Sequence, residues 1–433
     1  MRQRIGPRKI SRRAFVRVGY LTGLGLSLAD HLRLMGTEQL PASATADSVI
    51  FVHLAGGPSH LDTLDMKPEA PAEEKGEFQR IDSRIIGVPV CEHLPKLASM
   101  LDRFTLLRGI SHSAGAHPQA DEYLFTGNRP NPSVAFPSLG SVLAKERPVT
   151  DELPGFVSIP SSEMSPGFLG MAYSSYKTTA IPVAGKPFEV RGLSLADGFT
   201  IPRINRRERL LRDLDTRLRK AEANSSVLEG LDKFAEKANA MILSERARKA
   251  FDTHRESESI SKLFAANDAG QSLLLAARLV EHGVRFVTVT LGAWDTHLDN
   301  FKNLKNQLLP QFDAGITALV QALHDKRLIE RTLVIATGEF GRTPKINSNA
   351  GRDHWPRTMW TLAAGGGVRS GNLVGATDSK GHGPDDSTHL KPDDLAASIY
   401  HALGIDHRLE YITRSGRPAI LVAEGKVIRE MFA

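Results

Sequence analysis

Short runs of β-branched and aromatic residues alternate with amphipathic helical patterns along most of this chain, and no other feature limits the fold as much. Ser48 to Leu54 (SVIFVHL) reads as a buried strand running into the turn Ala55-Gly56-Gly57-Pro58. Similar runs lie at 104–110, 156–159, 285–291, 332–337 and 360–364. Between them, Gln271 to His282 has the helical period and stops at Gly283; 303–323 is a second such segment, and 393–403 stops at Gly404. Strands separated by helices of this length need crossover connections. The expectation is therefore an α/β fold with a mostly parallel central sheet and helices on both faces. Ligands of such sheets gather at the carboxyl ends of the strands.

The segment 203–266 breaks the alternation. Arg206, Arg207, Arg209, Arg212, Arg217, Arg219 and Lys220 mix with Glu208, Asp213, Asp215 and Glu222 at helical spacing, the pattern of a solvated helix. It is expected to be a helical insertion or cap on a single domain spanning 47–433.

Polar residues concentrate where the predicted strands end. The first strand leads into Ser59, His60 and Asp62, and the 104–110 strand into His112 and His117. Asp295 and His297 follow the 285–291 strand; Glu339, Arg342 and then His354 follow the 332–337 strand. An isolated histidine is more often a structural hydrogen-bonder. Five segments carrying imidazole and carboxylate to one sheet edge are another matter. That donor set suits zinc, manganese or iron, and two adjacent ions could clamp a phosphate or sulfate ester and activate water or a nucleophile. Asp295 and His297 share a face only if their segment is extended.

Charge excludes another class of function. Of 55 basic and 49 acidic residues, eight and two lie in residues 1–46, which leaves 47 of each beyond them. The positive excess therefore sits in the leader, and a general electrostatic case for nucleic acid fails. In that leader, Ser11-Arg12-Arg13-Ala14-Phe15 resembles a twin-arginine export motif. A mild apolar stretch from Val18 to Ala29 and the small-x-small site Ala44-Thr45-Ala46 follow. The apolar stretch is too short for a stable membrane span, at about 12 residues against roughly 20 needed. Cys91, the only cysteine, rules out an intrachain disulfide and a cysteine zinc cluster, and reads as a small packed residue.

Taken together, GGPSHLDTLDMKP at 56–68, EHLPKLA at 92–98, LVEHGVRFVTV at 279–289, WDTH at 294–297, GEFGRTP at 338–344 and GRDHW at 351–355 resemble the DUF1501 family. That family consists of uncharacterised bacterial proteins related to the alkaline phosphatase/sulfatase superfamily. The resemblance implies an alkaline phosphatase-like core with two metals, and the superfamily's residues carry over unevenly. Glu339 can replace an aspartate ligand in the Thr-x-Asp-His-Gly strand end, whereas Phe340 cannot replace its histidine. His354 stands where the superfamily has its last histidine ligand, and Asp295 and His297 resemble the Asp-then-His pair before it. The metal-binding Asp after the first strand is missing, so His60 or Asp62 would have to supply that ligand. Counting back from Phe125-Thr126-Gly127 puts His117 where sulfatases carry their nucleophilic cysteine. With no Cys-x-Pro-x-Arg in the chain, a formylglycine mechanism is excluded.

The expectation is an exported, periplasmic, metal-dependent hydrolase of phosphate or sulfate esters with one or two divalent ions. Asp295, His297 and His354 would hold one ion, and His60 or Asp62 with His117 and Glu339 the other. His117 reads as a ligand or a nucleophile. Ser59 is the other candidate nucleophile, and Arg342 either clamps the anion or bridges Glu339. The substrate would be a small-molecule or polysaccharide ester, and the twin-arginine translocase a partner during export. The rival expectation is a non-catalytic binding or scaffold protein on a degenerate fold, favoured by the departures at Gly57 and Phe340.

Overall fold

The computed structural model describes residues 20–21, 26–27, 44–149, 152–162, 164–186, 188, 244–413 and 415–432. The double arginine, most of the leader and 203–243 of the expected insertion lie outside the described residues. The chain divides into two units, 1–43 and 44–433. In the first, Tyr20–Leu21 pairs antiparallel with Leu26–Ser27. The second begins ahead of the expected cut after Ala46: the N–H groups of Thr45 and Ala46 both donate to Ala402 O, and Ala46 is buried. Among the described residues, no helix is long and apolar enough to cross a membrane.

The second unit is built on eight strands: β1 (Ser48–Leu54), β2 (Thr105–Ile110), β3 (Phe156–Ile159), β4 (Tyr176–Lys177), β5 (Phe286–Leu291), β6 (Thr332–Thr337), β7 (Met359–Ala364) and β8 (Asn372–Val374). Their order across the sheet is β8-β2-β7-β6-β1-β5-β3-β4. Only β7 runs against the rest, pairing antiparallel with both β6 and β2. The sheet is mostly parallel, as expected.

Alternation in β1 shows why both faces are covered. Ile50, Val52 and Leu54 point into one core, packed with α3 (Asp268–Glu281) and α4 (Leu309–Asp325) through residues such as Leu273, Leu279, Ile316 and Leu319. Val49 and Phe51 point into the other, with α1 (His117–Thr126), α2 (Leu139–Glu146) and α5 (Pro392–Ala402) through Leu124, Val142 and Ile399. A strand buried on both faces reads as a continuous apolar run, as SVIFVHL does. Cys91 lies in the first core, where burial pushes its thiol up to about 12.

Parallel register brings the loops together. His53 in β1 lies beside Thr337 of β6 and Thr290 of β5. Three strands thus end side by side, and Glu339 and Asp295 follow within a few residues. Of the 203–266 segment, the described part is helical but short: Glu245–Phe251, one 3-10 turn, and Glu258–Ser261.

Candidate metal centre

The centre begins at the Gly56-Gly57 turn. Gly56 has φ +111° and Gly57 φ +79°; a Cβ on the first would collide with the backbone of Asp295, and on the second with Phe340 O. Two glycines let the 294–295 and 339–340 loops close onto the end of β1. Arg342 fastens the arrangement. Its guanidinium is fully buried and donates to Gly56 O, to Gly57 O (3.0 Å), to Arg352 O (3.2 Å) and to Asp295 Oδ1 (2.5 Å).

Around Asp295 three imidazoles converge. His297 Nε2 lies 3.1 Å and His354 Nε2 3.3 Å from Oδ1, and His117 Nε2 lies 3.4 Å from Oδ2. Each ring has its other nitrogen against an acceptor: His117 Nδ1 on Glu339 Oε1 (2.5 Å), His297 Nδ1 on Asp353 Oδ1 (2.7 Å) and His354 Nδ1 on Gly115 O (2.8 Å). The Nδ1 atoms therefore donate, and the Nε2 atoms of the neutral rings offer lone pairs. His117 Nε2 is buried without a hydrogen-bond partner. The buried Phe340 ring packs against His117 and His354, with centroids 4.9 and 4.6 Å away.

A second group adjoins the first through Glu339. His53 Nε2 lies 3.2 Å from Glu339 Oε2 and 3.1 Å from Asp121 Oδ1. Its one Nε2 hydrogen is directed at Glu339, and Asp121 Oδ1 is left buried and unsatisfied. Glu339 also accepts from Gly56 N at 2.9 Å. Burial opposes its charge, but His117 and His53 outweigh that and hold its pKa at about 2. Burial likewise opposes protonation of His53, yet Asp121 and Glu339 raise it to about 9. The Glu339 hydrogen bond raises His117 as well. At Asp295, burial is outweighed by Arg342, and the carboxyl falls below the usual carboxylate range.

Donor atoms on a tetrahedral zinc ion lie roughly 3.4 Å apart. The histidine-to-carboxylate distances in both groups, 3.1 to 3.4 Å, are close to that spacing, and the donor atoms of His117, Asp295 and His354, like those of His53, Asp121 and Glu339, lie within 4.8 Å of one another and could hold an ion.

Compared with known families, residues 46–432 match the model described as "Protein of unknown function (DUF1501)". The chain belongs to the DUF1501 family. No curated protein matches the sequence of this DUF1501 protein. Solved structures similar to it include the lipoteichoic acid synthase LtaP from Listeria monocytogenes, at 10% identity over 84% of this chain and 73% of that one, TM-score 0.34. The PsFucS1 sulfatase from Pseudoalteromonas sp. is 13% identical over 84% and 69%, TM-score 0.36. The alkaline phosphatase from the Antarctic bacterium TAB5 is 13% identical over 83% and 98%, TM-score 0.35.

In this DUF1501 protein, five of the expected residues meet: His117, Asp295, His297, Glu339 and His354. Three others do not join them. Asp62 accepts two hydrogen bonds from Arg352 (2.7 and 2.8 Å), one from Ser59 Oγ (2.7 Å) and one from Asn300 (2.8 Å). All four donors and Asp62 are buried, so neither the carboxylate nor the Ser59 hydroxyl is free. His60 is also buried, its Nε2 on Gly381 O at 2.8 Å. The structure thus places His60, Asp62 and Ser59, expected as ligands and nucleophile, in a buried network of their own rather than with the group around Asp295. Arg342 bonds Asp295 rather than Glu339, and four of its five N–H groups are spent on protein oxygens.

Sequence reasoning overlooked His53 and Asp121. His53 sits inside the strand run itself, where it passed as one more buried position. Asp121 stands four residues after His117, a spacing that puts both on one helix face and could have flagged it.

Proposed function

We propose that this DUF1501 protein is an exported metal-dependent hydrolase of phosphate or sulfate esters. The observation that carries the reading is the convergence of three imidazole Nε2 atoms on Asp295, each fixed from behind by an acceptor on Nδ1. Divalent ions held by His117, Asp295 and His354, with His297 adjacent, and by His53, Asp121 and Glu339, would polarise the ester and raise the acidity of water. The protein's own groups set the geometry. Glu339 orients His117, Asp353 orients His297, Gly115 O orients His354, and Arg342 fixes Asp295. Hydrolysis adds water across the ester: phosphorus or sulfur gains the water oxygen, its bond to the alcohol oxygen breaks, and the alcohol leaves with a proton. With His117 Nδ1 bonded to Glu339 and its Nε2 the atom that would hold an ion, water is the nucleophile this arrangement favours.

Elemental analysis of protein purified from the periplasm tests the reading. About two equivalents of zinc, manganese or iron, lost together with ester hydrolysis in His354→Ala, is the expected result. The use of Ser59 and Arg342 within the fold favours the rival, a binding or scaffold protein. Metal-free protein without turnover would establish it. For export, replacing Arg12 and Arg13 with Lys should trap the precursor in the cytoplasm, and unaffected secretion would refute the twin-arginine route.

A further inference from the structure

Beside the second group lies a cavity of about 740 Å³, within the range of small-molecule sites. His53, His117 and Asp121 form the part nearest the centre. The walls come from α1, from the 135–138 segment and from the loop after β3. Phe125, Phe136 and Met164 supply apolar surface, and exposed Ser161 and Ser165 stand at its solvent side. Phe136 is held in place by Phe168, ring centroids 6.1 Å apart. Apart from His53 and His117 at the centre, the ionisable lining is acidic, Asp121 and Glu122, and among the described residues no Lys or Arg lines it.

Away from the histidines, where Glu122 stands and no Lys or Arg lines the wall, a repeating anionic chain would meet repulsion for its further charges. An aromatic or aliphatic group would instead cover Phe125, Phe136 and Met164, and the serine hydroxyls would satisfy a few polar atoms. We propose that this cavity holds the alcohol portion of the ester, and that this portion is uncharged and largely apolar rather than a sulfated or phosphorylated sugar chain. The proposal rests on the hydrolase reading for the word ester, and on the cavity alone for the character of the bound group.

The test compares phosphate and sulfate esters of 2-naphthol with those of 4-hydroxybenzoate, two phenols of similar acidity. On the anion that is hydrolysed, kcat/KM for the naphthyl ester is expected to be at least about tenfold higher. In Phe136→Ser that ratio should shrink severalfold with metal content kept at the wild-type level. Equal rates for the two esters, or a preference untouched by Phe136→Ser, would overturn the proposal. If no ester turns over, the hydrolase reading fails, and calorimetric titration with 2-naphthol still judges the cavity. Wild-type binding that weakens about tenfold in Phe136→Ser upholds an apolar site; no wild-type binding removes it.

Discussion

His297 and His354 direct their Nε2 atoms at each other across 3.0 Å. Because Asp353 and the Gly115 carbonyl engage the Nδ1 atoms, both Nε2 atoms of the neutral rings present lone pairs, with the Asp295 carboxylate close to each. Three electron-rich atoms at such distances repel one another, and a cation or a shared proton is what relieves them.

Metal should therefore stabilise the folded protein. At a hundredfold excess over its dissociation constant, a ligand specific for the native state adds about 2.7 kcal/mol. For a domain of this size that is roughly 3 °C in Tm. Calorimetry of chelator-treated protein with and without added zinc measures it. His354→Ala should show no such rise.

Asp353 tests the support behind His297, the imidazole adjacent to the proposed ligands. It is half exposed, and its hydrogen bond to His297 holds its carboxyl below the ordinary range. Asp353→Asn should weaken metal binding roughly 10- to 100-fold, as loss of a ligand's orienting partner does. The Tm of the metal-free protein should move little, since exposed pairs contribute about 0–1 kcal/mol. Competition against a chromogenic chelator reads the affinity, and an unchanged affinity would remove His297 from the centre.

Much of this arrangement was legible from residue pattern. Continuous apolar runs located six strands of the main sheet because burial on both faces leaves little room for polar residues. Tyr176–Lys177 and Asn372–Val374 escaped notice as edge strands of two and three residues, too short to carry a period. Helix α1 was hidden by its composition: HPQADEYLFT has weak amphipathicity because one of its faces serves the centre and the other the core. The loop histidines and acids were visible as types, but partners were not. The carboxylate of Asp62 looks the same in sequence whether it faces a cation or Arg352, and only the fold brings residues 290 positions apart into contact.

Away from the centre, Glu256 predicts a pH dependence of stability. Its carboxylate is buried against Arg278 (3.0 Å) and Lys326 (3.0 Å). Burial opposes its charge, but the Lys326 and Arg278 hydrogen bonds prevail and lower its pKa. A group with a depressed folded pKa stabilises the protein above its unfolded pKa, roughly 4.3 for glutamate, and loses that contribution as pH falls through the folded value. At neutral pH Glu256→Gln should cost about 3 kcal/mol, because Arg278 is left buried without its counter-charge. Urea unfolding of both proteins from pH 7 down to pH 3 should show the gap closing at the acid end. A gap independent of pH would mean that packing, not charge, holds this corner.

Asp62 distinguishes a structural carboxylate from a ligand. With Arg352, Ser59 and Asn300 all donating to it in a buried setting, Asp62→Asn keeps the shape and removes the charge that balances Arg352. Breaking a buried pair of this kind costs about 3–5 kcal/mol. Yet the metal content of the fraction that folds should equal that of the wild type, because no bond from Asp62 reaches Asp295, His354 or Glu339. Glu339→Gln should instead lower bound metal, because it would remove a proposed ligand and unseat His117 and His53 together, whatever it also costs in stability. Measuring unfolding free energy and bound metal on both variants separates the two roles. Metal lost from Asp62→Asn without loss of stability would return Asp62 to the ligand set that the sequence suggested.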